Sequence, residues 1–184
     1  GLSGFGSLKY LEIIEFESPC HVKYICDNCF EYCTSLGSSE GLNLPESIET
    51  IGDNAFYSCT GLQSVNLSSN LKSIGRSAFE LCKSLESITL PKSLKVIREF
   101  AFRNCADFDN WGNFMGSGLQ SVKFEDGVDF YNNGVYCFYN HVFWGCANLS
   151  KVTLPNGTPG RFIIPMGTFG YCGKLKSIEF PTNT

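Results

Sequence analysis

Alanine is nearly absent from this chain, with five among 184 residues. Charge is sparse too: 17% of residues are Asp, Glu, Lys or Arg, against about 25% in ordinary soluble domains. Coiled coils and helical bundles are built from Ala, Glu, Lys, Leu and Arg, so this composition argues against both. The formal net charge is -4, which leaves no basic footprint for nucleic acid. No apolar run approaches the roughly 18 to 20 residues of a membrane span. Residues 1–20 lack the basic start and apolar stretch of a signal peptide. A start at Gly1 leaves a removed targeting segment out of view. Disorder is excluded from the other side, because 14% of the residues are aromatic. The chain is long enough for one domain with a sizeable core.

What the chain has is repetition. Phe-x-x-Cys occurs at Phe30–Cys33, Phe56–Cys59, Phe79–Cys82, Phe102–Cys105, Phe143–Cys146 and Phe169–Cys172. The cysteine spacings are 26, 23, 23, 41 and 26 residues. Five residues before each Phe stands Ile25, Ile51, Ile74, Ile97, Phe138 or Ile164. Three residues after each Cys stands Leu36, Leu62, Leu85, Phe108, Leu149 or Leu175. A Leu-x-x-Val/Ile-x-Leu/Phe phrase follows, as Leu62–Val65–Leu67, Leu85–Ile88–Leu90, Leu119–Val122–Phe124, Leu149–Val152–Leu154 and Leu175–Ile178–Phe180. Leu8–Leu11–Ile13 reads as the same phrase from a partial first repeat, residues 1–20.

The physics of one unit follows from these columns. The last two apolar residues of Leu-x-x-Ile-x-Leu alternate, as on a strand with one buried face. In Ile-Gly-x-x-Ala-Phe-x-x-Cys the apolar offsets are 0, 4, 5 and 8, the spacing of one side of a helical turn. Each unit is therefore expected to hold one short strand and one compact helical turn. Such a unit cannot bury its own apolar face, so neighbours must stack.

The phrase Leu85-x-x-Ile88-x-Leu90-Pro91…Ile97…Ala101-Phe102-x-x-Cys105 resembles the Treponema-type leucine-rich repeat of the BspA-like bacterial surface proteins. The likeness runs from about Leu8 to Pro181. It implies an α/β solenoid, a right-handed leucine-rich repeat array of about seven repeats of ~23 residues, forming a single domain over 1–184. The departure is the insertion-bearing repeat 106–146. The resemblance also implies an extracellular or cell-surface location. It implies a non-enzymatic adhesion role toward a protein or glycan partner, such as host matrix or another cell surface.

Six of the ten cysteines share one column between apolar neighbours: Cys33, Cys59, Cys82, Cys105, Cys146 and Cys172. They are expected to form a structural ladder of free, buried thiols. Cys26-x-x-Cys29-x-x-x-Cys33, with Cys20 and His21 nearby, superficially resembles a zinc cluster. Cys29 fills the column of Ala55 and Ala78, so the preferred reading assigns no metal and no cofactor. A Cys20–Cys26 disulfide stays open. The only histidines, His21 and His141, lie about five repeats apart. No nucleophile elbow, phosphate loop or zinc-protease motif occurs. The carboxylate pairs Glu125/Asp126 and Asp107/Asp109 fall in turns, and no catalytic residue is assigned.

Two surfaces are candidates for binding. Between the buried strand positions lie outward columns, with Ser64, Ser87 and Ser121 in one and Asn66, Thr89 and Lys123 in the other. The insertion concentrates Trp111, Phe114, Met115, Tyr131 and Tyr136. Loop aromatics supply interface anchors, or they fold back to cover the widened repeat. The function read here is a protein-interaction or adhesion module acting through either surface. The alternative is an architectural spacer with no ligand of its own.

Overall fold

The computed structural model describes residues 4–108, 112–132, 135–136, 138–156 and 163–178. Among them run thirteen short strands: β1 (Tyr24–Ile25), β2 (Leu42–Asn43), β3 (Thr50–Ile51), β4 (Val65–Asn66), β5 (Ser73–Ile74), β6 (Ser87–Leu90), β7 (Val96–Ile97), β8 (Ala106–Phe108), β9 (Phe114–Gly118), β10 (Ser121–Phe124), β11 (Tyr131–Asn132), β12 (Val135–Tyr136) and β13 (Lys151–Thr153). Outside the hairpins β8–β9 and β11–β12, the strands come from two places in the repeat. One set comes from the Leu-x-x-Val/Ile-x-Leu phrase. The other comes from the Ile column, whose flat β-branched side chains suit close stacking.

Both sets stack in parallel, one repeat upon the next. Strands β1, β3, β5 and β7 form one sheet with Ile25, Ile51, Ile74 and Ile97 abreast, and Phe138 bridges to Ile97. Strands β6, β10 and β13 form another, in which Ile88, Val122 and Val152 align. Strands β2 and β4 pair alongside, joined to β6 by the single bridge Ser64–Ser87. The result is a β-solenoid in which about five turns carry paired strands, fewer than the seven units expected.

The expected helical turn does not form; no helix occurs among the described residues. Two residues in each turn, four apart, take left-handed backbone angles: Asn28 and Tyr32, Asn54 and Ser58, Ser77 and Leu81, Phe100 and Asn104, His141 and Gly145, Gly167 and Tyr171. A right-handed helix cannot hold such residues. With the chain reversed twice, every second peptide points along the stack. Asn54, Phe56 and Ser58 donate their N–H groups to the carbonyls of Arg76, Ala78 and Glu80, each at 2.8 Å. The peptides between close tight turns, Tyr57 N–H to Asn54 O at 3.0 Å and Cys59 N–H to Phe56 O at 3.2 Å. The apolar offsets that resemble a helix face arise here from a square turn whose hydrogen bonds run between repeats.

The core is a set of columns. Phe5, Phe30, Phe56, Phe79, Phe102, Phe143 and Phe169 stack face to face, with centroids 5.1–5.7 Å apart and planes within 13° of parallel. Burying each of the five inner rings, Phe30 to Phe143, contributes about 1.5–3 kcal/mol, and each ring pair adds about 0.5–1.5 kcal/mol. Ala55, Ala78 and Ala101 sit beside the rings, fully buried. Cys29, Val142 and Thr168 take the same place, also buried, in the other repeats.

Two registers differ from the sequence reading. In the first repeat Leu8 and Ile13 are exposed, whereas Leu11, Ile14 and Phe16 pack against the core. The phrase is therefore Leu11–Ile14–Phe16, and Leu8 stands in the cysteine column, three residues after Phe5. In the insertion-bearing repeat the Leu column is filled by Leu119, which is fully buried and donates its N–H to Cys105 O at 2.8 Å. Phe108 belongs instead to the antiparallel β8–β9 hairpin spliced between Cys105 and Leu119. Gly118 closes it at φ 108°. A Cβ there would lie 2.4 Å from Cys105 O, so the splice requires glycine. The second insertion forms the β11–β12 hairpin, rooted on the mutually packed Phe124, Phe130 and Phe138.

Candidate functional site

Strand alternation turns every second residue of the Leu-x-x-Val/Ile-x-Leu phrase outward. Ser64, Ser87, Ser121 and Lys151 line up as one column through the Ser64–Ser87 bridge and the β6–β10–β13 register. Asn43 and Asn66 are abreast, as are Thr89, Lys123 and Thr153. All nine are exposed except Ser121, which is half-buried. The Asn66 amide donates to Asn43 Oδ1, tying β4 to β2. The face is polar, carries few charges and continues across five strands.

It is interrupted once. Strands β6 and β10 pair over four residues, but β4 meets β6 only at Ser64–Ser87. The chain after β4 is pulled toward the preceding repeat: Glu46 Oε2 accepts from Ser69 N–H at 2.9 Å and from Ser69 Oγ, and Glu46 O accepts from Ser68 Oγ and Asn70 Nδ2. On the other side Pro91 has no N–H to reach back with. The sheet therefore opens into a cleft of about 200 Å³ lined by Ser64, Asn66, Ser69, Ser87, Thr89 and Glu125, over a floor of Val65, Leu67 and Pro91. Glu125 Oε2 accepts Lys92 N–H at 3.0 Å.

The six column cysteines are buried along the inside of the turns. Each thiol donates to the carbonyl of the phenylalanine one repeat earlier, as Cys59 Sγ does to Phe30 O and Cys105 Sγ to Phe79 O, both at 3.1 Å. A cysteine suits the place because it fills an apolar slot and still satisfies a carbonyl. Burial pushes these thiols up, Cys172 to about 12. Cys29 is likewise pushed up to about 12 by burial and by neighbouring Cys26. Cys20, Cys26 and Cys29 are free thiols with the six column cysteines, and among the described residues no group of three metal ligands gathers. Cys137 lies outside them.

The insertion residues are divided. Trp111 lies outside the described residues. Tyr131 and Tyr136 are backbone partners in the β11–β12 register. Phe114 is half-buried: Phe108 packs edge-on at 6.0 Å and Lys174 Nζ sits 5.0 Å over its ring. Met115 is exposed. The β8–β9 hairpin is latched by Asn148, whose buried amide donates to Gly116 O and Gly118 O at 3.3 and 3.2 Å. Lys174 Nζ donates to Asn148 Oδ1 at 2.7 Å.

Several of the titratable groups named above are engaged in structure. His141 packs between Phe100 and Trp144, and His21 is exposed. Asp107 pairs with Lys83 at 3.3 Å, and Asp126 holds the Asn156 N–H at 2.9 Å. One surface feature was invisible in the repeat pattern: Phe100, flanked by Arg76 and Arg103 at 5.6 and 5.1 Å, begins an aromatic edge through His141 and Trp144 to exposed Tyr171. These residues occupy left-handed turn positions or lie beside them, where side chains point sideways.

A family model described as the BspA type leucine-rich repeat region matches residues 4–111 and 112–184, in six copies. The chain belongs to that family. This chain's fold is matched by a solved leucine-rich repeat protein of Treponema pallidum, 24% identical, with a TM-score of 0.57, covering 94% of this chain and 78% of that one. A Bacteroides ovatus leucine-rich repeat protein is 23% identical with a TM-score of 0.44, covering 95% of this chain and 56% of its own. A leucine rich cell surface protein of Faecalibacterium prausnitzii is 22% identical with a TM-score of 0.42, covering 87% and 45%. The chain spans about half the length of these last two. No curated protein matches it. The BspA-type model is that of a repeat region, and no helix among the described residues is long and apolar enough to cross a membrane.

Proposed function

We propose that this chain is a protein-interaction module displayed at a cell surface, and that the strand face is its working surface. The observation that supports the reading is the polar face: one column runs Ser64, Ser87, Ser121 and Lys151, and beside it Asn43 and Asn66 are abreast, as are Thr89, Lys123 and Thr153. Ladders of stacked strands present side chains at a fixed spacing of about 4.8 Å, a rigid comb that loses little entropy on binding. The six ladder thiols fit an oxidising setting because they are buried, with their thiolates suppressed.

The test uses the full chain immobilised against a panel of extracellular matrix proteins and glycans. Wild type is compared with Thr89→Arg/Lys123→Glu, which alters the face without touching the core. Saturable binding to a protein, lost in the double variant and kept in Tyr171→Ala, supports the reading. Binding that survives the double variant overturns it. No binding to any member would favour the spacer alternative.

A further inference from the structure

A cleft opens between β4 and β6 on the proposed strand face, and its chemistry narrows what can enter. Its rim is made of hydroxyl and amide groups: Ser64, Ser69, Ser87, Thr89 and Asn66. Each can accept a hydrogen bond. Glu125 is the only ionised side chain in the lining. Among the described residues no cation stands within ion-pairing distance of its carboxylate. The nearest outward lysine of the column, Lys123, shares the strand that leads to Glu125 and does not close on it.

Size restricts the occupant further. At about 200 Å³ the cleft is smaller than the roughly 300–1,000 Å³ of sites that hold whole small molecules. It takes one side chain or one ring. No aromatic residue lines it to receive the apolar face of a sugar. An apolar floor of Val65, Leu67 and Pro91 with a carboxylate at one end suits a long side chain with a cationic head.

We infer that this cleft receives a basic side chain, arginine or lysine, from a protein partner lying on the strand face, with Glu125 as the counter-charge. Arginine fits best, since its planar fork offers several donors to a carboxylate and to surrounding hydroxyls at once. The proposal rests on the strand face being the interaction surface, and it adds the chemistry that the partner must present.

The probe is N-acetyl-arginine amide, titrated into the full chain and followed by backbone amide NMR, with N-acetyl-citrulline amide as the uncharged isostere. The expected result is a saturable shift of the Ser64, Asn66, Ser87, Thr89 and Glu125 amides with arginine, at least about tenfold weaker with citrulline. Glu125→Gln should weaken the arginine response by a similar factor, because Gln keeps an acceptor for Lys92 N–H and loses only the charge. Circular dichroism of the variant checks that it folds. Equal response to citrulline, an undiminished response in Glu125→Gln, or shifts confined elsewhere would overturn the inference. Loss of partner binding in Thr89→Arg/Lys123→Glu alongside a negative arginine titration would sink this inference while leaving the strand-face reading intact.

Discussion

Phe79 sits mid-stack with no exposed surface, between Phe56 at 5.1 Å and Phe102 at 5.2 Å. Truncation to alanine removes the ring and leaves a cavity bounded by two flat neighbours that cannot collapse across it. Large-to-small changes of this kind cost about 3–5 kcal/mol, and two lost ring pairs place Phe79→Ala in the upper half of that range. Phe5 is the built-in control. It is 54% exposed and has a single ring neighbour, Phe30 at 5.4 Å, so Phe5→Ala should cost about 1–2 kcal/mol. In a solenoid, each repeat is stabilised chiefly through its two interfaces. The central change should therefore also broaden the transition. Urea unfolding followed by circular dichroism reads both effects. A loss under about 1 kcal/mol at Phe79, or equal losses at both sites, would refute the stacked core.

Three further outcomes are expected. Thiol labelling of the native chain should reach Cys20 and Cys26 but spare the buried column until denaturant is added; because burial raises the folded thiols, stability should be full below about pH 8.5 and fall as pH rises from there toward about 12, the value of Cys172. Gly75→Ala would set a Cβ 2.5 Å from Gly52 C and 2.6 Å from Asp53 N, a backbone contact worth about 1–3 kcal/mol of destabilisation, whereas Gly173→Ala meets nothing within 4 Å and should leave the melting temperature unchanged. Asn148→Ala removes the latch on β8–β9 and should cost about 1–3 kcal/mol, with faster amide exchange over Phe114–Gly118; unchanged exchange would discard the latch.

Much of the solenoid was legible because one physical demand recurs: each repeat must present the same apolar columns to the next. The Phe, Cys, Ile and Leu columns follow from that demand. The turn conformation did not, because offsets of 0, 4, 5 and 8 serve equally for a helix face and for a turn with two left-handed residues. Asn28, Asn54 and Asn104 were the available hint, asparagine being a type that tolerates that backbone; Leu81 and Phe100 in equivalent places hid it. The first repeat was misregistered because Leu8 replaces the signature cysteine. Strand β2 went unseen because three extra residues separate Leu36 from its Leu42–Leu44 phrase. Hairpins β8–β9 and β11–β12 obey no repeat and could be read only as surplus length. The outward columns were visible by alternation. The cleft was not, since it arises from the tether of residues 68–70 to Glu46 and from Pro91 opposite.

The most direct test of the strand face as the working surface is photo-crosslinking to a partner captured by the full chain. Benzoylphenylalanine placed at Thr89, on the face, is compared with the same group at Tyr171, on the aromatic turn edge; both positions are exposed. The strand-face reading predicts a crosslink from Thr89 and none from Tyr171. A crosslink from Tyr171 alone would contradict it and move the interaction to the turn edge.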